Sequence, residues 1–125
     1  MEKEKACKIV FSDIDGTLLT SDGQITEGTK EMILNLEKKG IPFILTSARS
    51  PEGVRVIKRM LGNHAPIIAF CGGLILDNDG NEIYSKMIPL KRALGLKAML
   101  DKDFPAVACN TFGGEKWIVD DRDDW

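Results

Sequence analysis

The chain has 125 residues, 43% hydrophobic and 29% charged, with a formal net charge of −2 from 17 basic and 19 acidic side chains. These are ordinary values for one soluble domain burying roughly two-thirds of its unfolded surface, and they argue against disorder and against a coiled coil. Without a dense basic stripe or an apolar run of membrane-spanning length, neither a nucleic acid nor a membrane is expected as a partner.

The opening "MEKEKAC" is charged and leads straight into the first predicted strand, which points to a cytoplasmic protein. In "KIVFSDIDGTLLT", Lys8 to Thr20, the apolar Ile9, Val10 and Phe11 suit a buried strand, and Asp13 and Asp15 stand where it ends. "GTLLTSDGQI" then exceeds a plain connection, and its Ser-Asp-Gly suggests a small hairpin or flap over the acids.

"TEGTKEMILNLEKKG" predicts a helix with Thr26 as N-cap, an apolar stripe at Met32, Ile33 and Leu36, and Gly40 as its stop. "IPFILTS" reads as a second strand. "SPEGVRVIKRMLG" reads as a second helix with Ser50 as N-cap, Pro51 at its first position, and Val54, Ile57 and Leu61 on one face. His64, the sole histidine, falls in a surface connection before a third strand, "PIIAFC".

This alternation predicts an α/β fold, a Rossmann-like parallel sheet with helices on both faces, whose strand ends gather Asp13, Ser47 and Cys71. "LILDNDGNEIYS" adds a β-hairpin around Asn-Asp-Gly. From Pro89 onward a third helix weakened by Gly95, then short strands in "AVACNTF" and "EKWIVDD", look like the start of an α+β unit. The closing "DDRDDW" reads as a solvated charge run that leaves Trp125 little chain to cover it, as in a chain cut mid-domain. Cys7, Cys71 and Cys109 lack any CxxC pattern and are expected as buried small hydrophobes, not a disulfide framework or zinc site.

Paired acids at a strand's carboxyl edge suit phosphoryl chemistry. A carboxylate can attack phosphorus and become an aspartyl phosphate, provided a cation such as Mg²⁺ offsets its repulsion from the phosphate. Asp13 can serve as nucleophile and metal ligand, while Asp15 protonates the leaving group and later deprotonates water. Gly16 permits a bend, and the N–H groups from Asp15 to Thr17 can cradle phosphate oxygens. A hydroxyl at the second strand's end, Ser47 or Thr46, can donate to phosphate, and Arg49 can bind it or close the entrance with a salt bridge. Asp-x-Asp-Gly alone is also an ordinary Asx-type turn or calcium-loop fragment. The preceding apolar strand, the following threonine, and a second strand ending in hydroxyl and arginine favour the chemical reading.

"DIDGTLLTSDGQIT", "GIPFILTSARS" and "IIAFCGGLILDNDGNEIY" together resemble the haloacid dehalogenase superfamily, and within it the Cof-type sugar-phosphate phosphatases, over residues 7 to 88. The resemblance implies residues 1–88 as the N-terminal part of the core with its hairpin and residues 89–125 as the beginning of an α/β cap. It makes Asp13 the nucleophile, Asp15 the acid/base, and Gly16, Thr17, Ser47, Arg49 and Gly72 substrate contacts. Ser47, not Thr46, aligns with the family hydroxyl. Mg²⁺ would lie on the Asp13 side chain and the Asp15 carbonyl.

Cys71 stands where such phosphatases usually have asparagine, and Ala48 replaces a common glycine. The family's later lysine and later acidic ligands have no counterpart here. The resemblance therefore implies an incomplete N-terminal portion of a phosphatase for small phosphorylated metabolites, catalytically near-silent alone and able to self-associate through uncovered core surface. A phosphosugar mutase of the same superfamily and an inactive binding or regulatory module are the alternatives.

Overall fold

The computed structural model describes residues 7–114 and 116–120. The expected charge run at 121–125 lies outside them. The chain divides into two compact units, Met1–Ser85 and Lys86–Trp125.

In the first unit, β1 (Val10–Asp13), β2 (Phe43–Thr46) and β3 (Ile67–Ala69) pair in parallel, with α1 (Glu27–Lys38) after β1 and α2 (Pro51–Leu61) after β2. Then β4 (Leu74–Leu76) and β5 (Glu82–Ser85) extend the sheet antiparallel, in the order β1-β2-β3-β4-β5. The mixed α/β sheet is the expected class, and the Asn-Asp-Gly hairpin is where the sequence puts it.

The caps follow local chemistry. Thr26 Oγ1 accepts the N–H of Thr29 at 3.2 Å, Ser50 Oγ accepts that of Gly53 at 3.4 Å, and Pro51 opens α2. Gly62 ends α2 in the left-handed region, where only glycine is free of a Cβ penalty.

Among the described residues of this unit, α1 and α2 flank the sheet and share one core. Both crossovers step the same way along the sheet, and two connections of one hand then place both helices on one side. Accordingly, Ile33 of α1 and Val54, Ile57 and Leu61 of α2 share one core with Phe43, Leu45, Ile67, Ala69, Leu74 and Leu76. The pleat turns Phe11, Ile44, Ile68, Ile75 and Tyr84 to the other face, where Phe11 and Tyr84 are exposed.

Other local expectations shift. Met32 is exposed, because the core side of α1 is set by Ile33 and Leu36, three residues apart. The Ser-Asp-Gly segment forms a closed turn instead of a strand pair: Gln24 N donates to Thr20 Oγ1 and Thr20 N to Gln24 O, at 3.0 and 2.9 Å. The thiols are free but not buried: Cys7 and Cys71 are exposed and Cys109 is half-buried. His64 is exposed, as expected.

In the second unit, α3 (Leu90–Asp103) runs unbroken through Gly95, and β6 (Thr111–Gly113) pairs antiparallel with β7 (Lys116–Ile118). Phe112 and Trp117 stack across this ladder at 5.9 Å. The stretch 106–110, expected within a strand, is irregular. No helix among the described residues is long and apolar enough to cross a membrane.

Candidate active site

The turn after β1 is wound on one residue. Ile14 is fully buried, and its carbonyl accepts the N–H groups of Thr17, Leu18 and Leu19 at 3.4, 3.0 and 3.1 Å. Sinking Ile14 and Leu18 into the core leaves Asp13 and Asp15, on either side of Ile14, exposed at the sheet edge. Gly16 takes φ +72°, a conformation that would strain any side chain. The N–H groups of Asp15 and Gly16 have no acceptor among the described residues.

At the end of β2, Thr46 lies in register with Asp13, and Ser47 is buried. Ser47 N donates to Ile68 O at 3.0 Å, and Ser47 O accepts from Cys71 N at 3.0 Å. Its Oγ accepts the N–H of Arg49 at 3.1 Å, so its own proton is left for another acceptor.

Arg49 reaches back 34 residues in sequence to Asp15, with Nε donating to Oδ2 at 2.9 Å and Nη2 to Oδ1 at 2.6 Å. The hydrogen-bonded guanidinium holds the Asp15 carboxyl below its ordinary range against the opposing effect of desolvation, and Asp15 in turn raises Arg49. Both side chains are exposed, so water screens the pair and its effect on stability is small.

After β3 the backbone turns through three successive left-handed residues, Phe70 (φ 50°), Cys71 (φ 53°) and Gly72 (φ 90°). For the first two this costs energy. Hydrogen bonds from Phe70 N to Arg49 O and from Cys71 N to Ser47 O, both 3.0 Å, hold the turn against the end of β2. Phe70 is a contributor that the sequence does not point to, because aromatic residues rarely take this conformation.

Of the expected residues, Asp15, Gly16 and Arg49 line one recess of about 520 Å³, together with Leu19, Thr20 and Ser21. Asp13, Ser47 and Gly72 stand at the neighbouring strand ends, outside its lining. Thr17 lines a separate apolar recess with Leu18, Ile33 and Phe43.

Similarity to known proteins runs over nearly the whole chain. A Haemophilus influenzae protein named "Putative phosphatase" is 36% identical over 124 residues, covering 92% of this chain and 47% of its own. A phosphoglycolate phosphatase of Thermoplasma volcanium is 38% identical over 74 residues, 59% of this chain and 33% of its own. The crystal structure of a hypothetical protein from Geobacillus kaustophilus superposes with a TM-score of 0.79 at 25% identity, covering 91% of this chain and 43% of that one. The chain thus spans less than half the length of the relatives it matches. Residues 10–124 match the family described as haloacid dehalogenase-like hydrolase, with both acids, Ser47 and Arg49 inside the match, and the chain belongs to that family.

Proposed function

We propose that the chain carries the nucleophile and the acid/base of a Mg²⁺-dependent phosphatase for small, sugar phosphate-like metabolites, with residues 1–88 as core and 89–125 as the start of a cap. The observation that carries this reading is the pair of exposed acids flanking fully buried Ile14 at the carboxyl edge of the sheet. The relatives named as phosphatases support it.

In the proposed reaction, an Asp13 carboxylate oxygen attacks phosphorus, the bond to the ester oxygen breaks, and Asp15 gives that oxygen a proton. Asp15 then takes a proton from water, whose oxygen attacks phosphorus and returns Asp13 as a free carboxylate with release of inorganic phosphate. The ion pair with Arg49 favours the deprotonated form of Asp15, which suits the second step. The unpaired N–H groups of Asp15 and Gly16, with the Ser47 hydroxyl, are available to phosphate oxygens.

Among the described residues no three acidic, histidine or cysteine side chains gather as a metal cage. A hard cation that keeps most of its waters and also takes a substrate oxygen needs fewer protein ligands, and the Asp13 carboxylate with the Asp15 carbonyl fits that mode. Bound there, Mg²⁺ would supply charge neutralisation for the attack of an anion on an anion.

Capture of beryllium fluoride, a phosphate analogue, tests the nucleophile. With Mg²⁺, fluorine NMR should report a bound species that Asp13→Asn eliminates and Asp15→Asn retains. A bound species surviving Asp13→Asn removes Asp13 from that role.

A further inference from the structure

We propose that Arg49 is a positioning residue that holds Asp15 at the wall of the recess, and that Gly53 is what lets Arg49 lie there. The pairing stands on geometry alone, and only the use made of Asp15 rests on the phosphatase reading.

Arg49 is fixed from both sides before its side chain begins. Its N–H donates to Ser47 Oγ at 3.1 Å, and its carbonyl accepts from Phe70 N at 3.0 Å. From this anchored base the side chain makes a two-point contact with Asp15, and that fork geometry fixes the carboxylate plane as a single hydrogen bond would not. Each Asp15 oxygen keeps a further lone pair. Asp15 and Arg49 line the same recess, so the carboxylate is presented to whatever occupies it.

Gly53 is otherwise unexplained. It occupies the third position of α2 with an ordinary helical φ, where glycine weakens a helix relative to alanine. A Cβ built there would lie 3.2 Å from Arg49 Cβ and 3.6 Å from Arg49 Cδ, with Ser50 Oγ also at 3.6 Å. The Arg49 backbone is pinned, so it yields poorly, and the added methyl group displaces the side chain that reaches Asp15. The glycine thus serves the ion pair at the expense of the helix.

A bound carboxylate should give the Arg49 Nε–H a distinct, slowly exchanging NMR signal in the isotope-labelled chain. Asp15→Asn should abolish it. Gly53→Ala should also abolish or shift it while leaving the thermal midpoint equal or higher. A freely exchanging Arg49 Nε–H in the unsubstituted chain, or an unchanged signal in Gly53→Ala, overturns the proposal.

Hydrolysis adds a second readout. Proton delivery needs the donor in place and matters most for a poor leaving group; loss of placement outweighs the easier protonation of an unpaired Asp15, so Arg49→Ala and Gly53→Ala should each lower kcat on an alkyl phosphate about tenfold more than on an aryl phosphate, with KM little changed. Equal losses on both esters, or a loss confined to KM, would make Arg49 a phosphate binder and overturn the positioning role. If the unsubstituted chain hydrolyses neither ester, as its near-silence alone allows, the Nε–H signal decides the pairing, and the beryllium fluoride capture decides the phosphatase reading.

Discussion

The two units differ in what they bury. Among the described residues, every buried hydrophobic residue, from Ile14 to Leu76, belongs to the unit that ends at Ser85, and α3 of the second unit buries none of its side chains. In the second unit Leu90, Leu94, Met99, Phe104 and Trp117 are all exposed. Position in a closed core gives the first unit a rigid frame for Asp13, Asp15, Ser47 and Arg49. The second unit has regular hydrogen bonding without that packing, and most helical stability in proteins comes from packing.

Core truncation should separate the units most strongly. Leu61 is fully buried and Leu94 is 62% exposed. Leu61→Ala should cost ~2–5 kcal/mol in denaturant unfolding, whereas Leu94→Ala should stay within about 0.5 kcal/mol. Equal losses would mean that the second unit closes a core of its own.

A second contrast lies within the first unit, between the adjacent hydroxyls at the end of β2. Ser47→Ala should weaken turnover by roughly 3 kcal/mol at the transition state, about a hundredfold or more, and Thr46→Ala much less. The reverse order would assign phosphate contact to the residue in register with Asp13.

The smallest effect concerns the β4–β5 turn. Asp77 accepts from Asn81 Nδ2, Asn81 N and Asp79 N at 2.9, 2.8 and 2.9 Å, and these bonds hold its carboxyl below the ordinary 3.8. A depressed folded pKa gives stability that is present above the unfolded value and lost as pH falls through the folded one. The difference in thermal midpoint between the chain and Asp77→Ala should therefore hold near neutrality and shrink as pH drops below about 3.8. A constant difference at all pH values would show that the carboxylate charge is immaterial to the turn.

What the sequence makes legible is local. Ser50 and Pro51 announce α2 through capping chemistry, Asn-Asp-Gly announces the hairpin, and Asp13 and Asp15 stand out because acids at a strand end have few structural uses. Features set by distant partners are not legible. The one-sided placement of α1 and α2 depends on strand order, and the exposure of Cys71 depends on a left-handed turn held by Ser47 and Arg49. The Arg49 grip on Asp15 spans 34 residues, and a reason for a glycine at 53 becomes visible only once the Arg49 side chain lies beside that position. Thr17, adjacent to the acids in sequence, faces another recess because the turn winds on Ile14.

Phosphate release from an aryl phosphate with millimolar Mg²⁺, compared between the chain and Asp13→Asn, tests the central claim most directly. The account predicts slow, Mg²⁺-dependent release that Asp13→Asn abolishes. Release at an undiminished rate in Asp13→Asn would contradict it, because the carboxylate that ends β1 would then not be the group that takes the phosphoryl.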